Sequence, residues 1–146
     1  MLGALHEGVA RHAEAADTYR RVIALNQSDV VALNNLAYHM ALRENRAAEA
    51  LGLASRAATL SRGNATIEDT LGWIHNLMGN DQEGPYLTRA SRVLTENSEV
   101  QLHAATVFAA AGRLEEATRA LDAAVRADPA LTERADVQVI RRKVGR

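Results

Sequence analysis

The chain has no cysteine, which excludes a disulfide framework, a thiolate metal site and a cysteine nucleophile. Aromatic residues are few: one tryptophan, three tyrosines and one phenylalanine in 146 residues, so alanine and leucine must do most of the packing. An excess of charge of one sign is also missing. A net charge of −1 gives no basic face for nucleic acid, and equally little to attract an anionic membrane or an acidic substrate. No apolar run approaches the roughly 18 residues of a membrane span. The N-terminus MLGALHEGVARHAEA lacks a basic region followed by a long apolar core, so neither direct membrane insertion nor a targeting segment is expected. A cysteine-free chain suits either redox compartment. The cytoplasm is the first expectation, and the periplasm the alternative if the chain is a piece of an envelope protein. What is present, 47% hydrophobic and 24% charged residues, suits one domain with a buried core. Lys143 is the only lysine beside the chain's arginines, a bias that fits a GC-rich bacterial gene.

Self-similarity organises the rest. The segments AEAADTYRRVIAL from Ala13, AEALGLASRAATL from Ala48 and EEATRALDAAVRA from Glu115 align on Ala15, Ala50 and Ala117. The first interval is 35 residues and the second 67, which leaves room for one more unit, QEGPYLTRASRVL, with Gly84 in the alanine's place. A second series, ALNNLAYHMA, EDTLGWIHNL and QLHAATVFAA, runs half a period out of step, with Leu36, Leu71 and Ala104 in register. Two helical segments per period of about 34 residues predict a helical-hairpin solenoid.

From Ser98 to Leu131 the fixed offsets are densest: Ala105, then Phe108 one turn on, Gly112 at the turn, and Ala117, Ala124 and Pro129 after it. Small residues let two helices approach, glycine ends the first helix, and proline cannot continue the second. In these residues, and with weaker matches over nearly its whole length, the chain resembles the tetratricopeptide repeat (TPR) family. The resemblance implies an all-α, right-handed α-solenoid of TPR helical hairpins with a C-terminal capping helix. One TPR domain over 1–146 is expected, divided into a partial unit 1–29, units 30–64, 65–97 and 98–131, and a capping helix 132–144. Val137, Ile140 and Val144 form the apolar face of that cap. Unit one is short, with only HEGVA before its expected inter-helix turn. The chain is therefore expected to be a fragment of a longer protein, or to cover its first hairpin by self-association. In unit three Gly84 and Pro85 open the second helix, where the glycine costs roughly 1 kcal/mol against alanine. That hairpin is expected to be the least stable.

Within IEDTLGWIHNLMGN, from Ile67 to Asn80, two stripes emerge at about 100° per residue. Ile67, Leu71, Ile74 and Met78 are the face that packs. Thr66, Asp69, Trp73 and Asn76 lie on the side that the TPR resemblance turns toward a concave groove. The equivalent stripes are Val31, Asn34, Tyr38 and Ala41 in unit two, and Glu99, Leu102, Thr106 and Ala109 in unit four. Tyr38 and Trp73 are thereby expected side by side as an aromatic floor, the alternative for each being a wedge between neighbouring helices. The candidate groove residues are Asn34, Asn35, Tyr38, Asp69, Thr70, Trp73, Asn76 and Thr106. Aromatics supply contact area, and amide side chains satisfy an extended backbone with no other hydrogen-bond partner. By the resemblance, Asn35 and Thr70 hold positions where some TPR superhelices carry an asparagine ladder; only Asn35 keeps the asparagine. None of the stripes carries lysine or arginine, so a carboxylate-clamping variant is not expected.

The function expected is therefore a non-catalytic scaffold that holds a protein or peptide segment in its concave groove, with no nucleic acid and no cofactor. NNLAY and DTLGW, followed by GRLEEA, look like the closing repeats of many bacterial TPR proteins, some of which act in envelope or exopolysaccharide assembly. Two other expectations compete with it. One is a self-assembly module, a homo-oligomer through the N-terminal half-repeat around Leu2 and Leu5. The other is the regulatory arm of an enzyme whose catalytic domain lies outside this chain.

Catalytic and metal signatures are absent from the sequence pattern. Glu68 and His75 share a helix face but lie about 10 Å apart along its axis, too far for direct proton exchange, and each is expected to be half-buried with a local partner. His6 and His12 fall on different helix faces and form no zinc helix. His39, His75 and His103 come from separate helices with no acidic or cysteine companion at ligand spacing. There is no phosphate-cradling glycine loop and no nucleophile elbow. The pairs Ser28–Asp29 and Asn97–Ser98 read as helix caps, and Glu115–Glu116 as the solvated first turn of a helix.

Overall fold

Three side chains start the helices that matter most here, each accepting from backbone N–H groups that a helix start leaves unpaired. Asp29 accepts from Ala32 N at 2.9 Å and opens α2 (Val30–Arg43). Asn64 accepts from Thr66 N and Ile67 N at 3.1 and 3.3 Å and opens α4 (Ala65–Met78). Asn97 accepts from Val100 N at 3.1 Å and opens α6 (Ser98–Ala110). The computed structural model describes residues 2–79 and 83–145, with the side chains of 11–79 and 84–145. Within them the remaining elements are α1 (Leu2–Leu25), α3 (Ala47–Leu60), α5 (Glu83–Val93), α7 (Leu114–Ala127), a 3-10 turn over Pro129–Glu133, and α8 (Ala135–Lys143).

The turns inside the hairpins share one device. Asn45, Gly79 and Gly112 sit at the same repeat position, five residues before Ala50, Gly84 and Ala117, and all three have left-handed backbone, with φ of 53°, 72° and 77°. Glycine and asparagine are the residues that adopt it at least cost. In unit one that position is Ala10, an alanine and the best helix former. The turn expected after HEGVA is accordingly not made: α1 runs as one helix of 24 residues. The side chains of Leu2 and Leu5, expected at a self-association edge, lie outside those described.

Consecutive helices pack antiparallel as hairpins, α2 on α3, α4 on α5 and α6 on α7, and the hairpins stack into a helical solenoid. Two apolar clusters fill it. One joins Ala16 of α1 to Leu33, Ala37, Ala50, Ala54 and Ile74; the other joins Leu87 to Ala105, Phe108, Ala117, Leu121, Val137 and Ile140. Leu33, Ile74, Leu87 and Val137 are fully buried, each worth about 2 kcal/mol of transfer free energy. At Gly72 α4 and α5 approach closely: a Cβ there would stand 2.7 Å from Leu87 Cγ.

Helix α5 has only 11 residues, with Gly84 and Pro85 in its first turn. Its other end is closed from the next unit, where the buried Gln101 donates through Nε2 to Ser91 O at 2.8 Å and Leu94 O at 3.1 Å. At the C-terminus the capping helix begins at Ala135, later than 132. Asp128 accepts from Ala130 N at 3.2 Å and Pro129 follows it, so residues 129–133 tighten into a 3-10 turn that buries Leu131. Val137 and Ile140 then close the end of the C-terminal cluster, with Val144 at its edge. No helix of the described residues is long and apolar enough to cross a membrane.

Candidate functional site

Helices α1, α2, α4 and α6 enclose an open groove of about 470 Å³. From α1 come His12 and Tyr19, from α2 Asn34, Asn35, Tyr38, His39 and Arg43, from α4 Thr66, Asp69 and Thr70, and from α6 Glu99 and His103. Of the eight residues picked from the sequence, Asn34, Asn35, Tyr38, Asp69 and Thr70 line this groove, and Trp73, Asn76 and Thr106 do not.

The difference has a clear origin on α6. Glu99 and His103, one turn apart, face the groove, while Leu102 and Ala109 are buried and Thr106 donates back to Leu102 O at 2.8 Å. Of the stripe read from the sequence only Glu99 lines the groove; Val100 and His103, each one residue further round, line it in place of Leu102 and Thr106. His103 thereby enters the site, and it has the acidic companion that spacing along the chain did not show. Its Nδ1 lies 2.9 and 3.1 Å from the two carboxylate oxygens of Asp69, and its Nε2 lies 3.3 Å from the Tyr38 hydroxyl. Tyr38 and Trp73 do not form a shared floor, because the imidazole stands between them. The Trp73 ring stacks on His103 with centroids 4.2 Å apart and planes 18° apart, and packs against the C-terminal core on its other side.

Asp69 and His103 are nearly buried, at 7% and 4% exposure. A carboxylate held there needs its hydrogen bonds, and the imidazole supplies one. Burial, then the negative charges of Asp69 and Glu99, push the Tyr38 phenol up to about 12, with Arg43 and Arg134 pulling the other way. The hydroxyl therefore stays protonated at neutral pH. Carboxylate, imidazole and hydroxyl in line have the order of an activated-nucleophile triad, but this phenol is harder to ionise than a free one.

The groove's edges are tied by ion pairs. Arg134, which precedes α8, donates to Glu99 at 2.7 Å. The Nη2 of Arg20 on α1 donates to both carboxylate oxygens of Glu44 at 2.7 and 2.9 Å, which holds the Glu44 carboxyl below its ordinary range. His39 reaches the same carboxylate at 3.3 Å. On the far side of α4, Glu68 accepts from Arg89 at 3.0 Å, while the buried His75 stacks on Tyr86 at 5.7 Å with its Nδ1 unbonded. Among the described residues no group of three or more histidine, aspartate or glutamate side chains is placed to hold a metal ion.

Comparison with known proteins places the architecture. No family model matches the chain, and no curated protein matches it. Solved structures do, and they define the class: a TPR-type solenoid of helical hairpins. YrrB, described as a TPR protein with an unusual peptide-binding site, superposes with a TM-score of 0.62 at 20% identity, over 97% of this chain and 80% of that one. MamA superposes with a TM-score of 0.69 at 16% identity, over 98% and 79%. TTC0263, a thermophilic TPR protein of Thermus thermophilus, gives 0.54 at 18% identity, over 99% and 94%.

Proposed function

We propose that the chain is a non-catalytic binding scaffold that holds an extended segment of another polypeptide in the groove between α1, α2, α4 and α6. The observation that carries this reading is the groove itself. It is about 470 Å³ in volume and lined from four helices by amide, hydroxyl and aromatic side chains, with charged groups such as Arg43, Asp69 and Glu99 among them. Amides such as Asn34 and Asn35 satisfy a backbone that is stripped of water, and Tyr38 and Tyr19 offer flat apolar area beside them. That YrrB is described as having a peptide-binding site supports the same use of a similar fold. The protonated, hard-to-ionise Tyr38 favours recognition over nucleophilic chemistry.

The test is selection from a displayed nonapeptide library on the wild-type chain, followed by binding to Asn35→Ala and Tyr38→Ala variants of equal helicity. Selected peptides should bind each variant about tenfold more weakly, the effect of one lost buried contact. Equal binding to all three proteins would contradict the reading. A self-assembly role is favoured by one observation, the corner where Leu25 and Val31 are 90% and 67% exposed. Sedimentation of wild type and a Leu25→Glu, Val31→Glu variant separates the two: a mass that rises with concentration only in the wild type supports assembly.

A further inference from the structure

The Tyr38 hydroxyl has one proton to give, and its environment decides where that proton points. An ionised carboxylate only accepts hydrogen bonds, so the His103 nitrogen that faces both oxygens of Asp69, at 2.9 and 3.1 Å, must be the one that carries hydrogen. In the neutral imidazole the other nitrogen, Nε2, is then an acceptor. Nε2 lies 3.3 Å from Tyr38 Oη, so the phenol donates to it whenever the imidazole is neutral. What remains at Oη are lone pairs. Tyr38 and His103 both line the groove, so the phenol is within reach of whatever occupies it.

We propose that the Asp69–His103 pair sets Tyr38 as an obligate hydrogen-bond acceptor, so that the groove selects a polypeptide segment presenting an N–H donor at that point. This rests on the groove being a polypeptide-binding site. Tyr38 is the recognition residue; Asp69 and His103 are positioning residues that act through it. The surrounding charges agree in sign, since Asp69 and Glu99 act on the Tyr38 oxygen more strongly than Arg43 and Arg134 do. Trp73, stacked on the imidazole, keeps its plane fixed between the carboxylate and the phenol. The donor has two sources, a backbone amide or a basic side chain. An acceptor such as a partner carboxylate meets only lone pairs at Oη and is rejected.

Asp69→Asn is the informative variant because it keeps shape while offering an N–H to His103. With that N–H turned to Nδ1, the imidazole accepts there, carries its hydrogen at Nε2 and donates to Tyr38, whose O–H is released into the groove. The polarity of the site reverses without loss of volume.

The experiment has two arms. In the first, nitrogen-15 NMR of the histidine side chains reads the tautomer of His103 in the free protein. Nδ1–H in wild type and Nε2–H in Asp69→Asn are expected; Nε2–H in the wild type would overturn the proposal whatever binds. In the second arm, one nonapeptide selected on the wild type is remade with each backbone amide methylated in turn, and with each lysine replaced by norleucine. One of these changes should cost the wild type about tenfold in Kd and cost Asp69→Asn and Tyr38→Phe about nothing. Loss on methylation identifies a backbone donor, and loss on lysine replacement a basic side chain. Equal losses in all three proteins overturn the inference and leave the binding groove standing. If no library member binds the wild type, the groove reading fails and this inference falls with it.

Discussion

His103 Nδ1 stands 2.9 Å from Asp69 Oδ1 across 34 residues of sequence, joining α6 to α4 at the floor of the groove. Both side chains are nearly buried, so each depends on the other for its place. Replacing His103 with alanine leaves a buried carboxylate without its partner, and a loss of about 3 kcal/mol is expected in urea denaturation. Replacing both residues together, with leucine at each, should cost less than the two single changes summed, because no orphan charge remains.

Two glycines in helices should respond in opposite ways. A Cβ at Gly72 meets Leu87 Cγ at 2.7 Å and Tyr86 Cβ at 3.1 Å, with Leu87 fully buried, so Gly72→Ala forces α4 and α5 apart and should cost about 2 kcal/mol. A Cβ at Gly52 meets nothing within 4 Å, and Gly52→Ala in α3 should add about 0.8 kcal/mol. Thermal denaturation of the two variants checks both signs at once.

The turn device makes a third prediction. Asn45 and Gly112 hold left-handed backbone with φ of 53° and 77°. Alanine at either position should lower stability by about 1 kcal/mol, whereas Asn45→Gly should cost nothing measurable by the same melting experiment.

Tyr38 supplies the pH dependence. Its phenol is pushed from 10.0 up to about 12 in the folded chain, first by burial and then by Asp69 and Glu99. Between those two pH values the unfolded chain has released this proton and the folded chain has kept it, so stability falls as pH rises. Below pH about 10 the contribution is fully present, and above about 12 it is gone. Denaturation across that window should show a steeper decline in wild type than in Tyr38→Phe. Phenol absorbance should show one late-titrating tyrosine that the variant lacks.

Much of the architecture was legible in the sequence because it rests on local rules that repeat. The alternation of helices follows from small residues at fixed offsets, and the caps at Asp29 and Asn97 from side chains that accept from their own backbone. The groove's α2 wall was legible for the same reason, since Asn34, Asn35 and Tyr38 lie on one face of one helix. Its α6 wall was not. A phase error of one residue exchanged His103 for Leu102, and helical periodicity over a helix of 13 residues with apolar side chains on nearly every face does not fix the phase. The Asp69–His103 contact lies between units, where no spacing rule applies. Trp73 takes the alternative weighed for it, a wedge between neighbouring helices, because the face of α4 it occupies is covered by the imidazole. The missing turn in unit one has a signal that could have been used: Ala10 where the other units place asparagine or glycine.

The most direct test of the central claim is to map where a polypeptide binds. The nonapeptide selected on the wild type is titrated into isotope-labelled protein, and amide chemical shifts are followed. The account predicts that the shifts cluster on α2, α4 and α6 around Asn35, Tyr38, Asp69 and His103, and that the Trp73 indole signal moves with them through its stack on His103. Shifts confined to the opposite face, around Thr88, Arg92 and Arg119 where α5 and α7 border a smaller cavity of about 290 Å³, would contradict it.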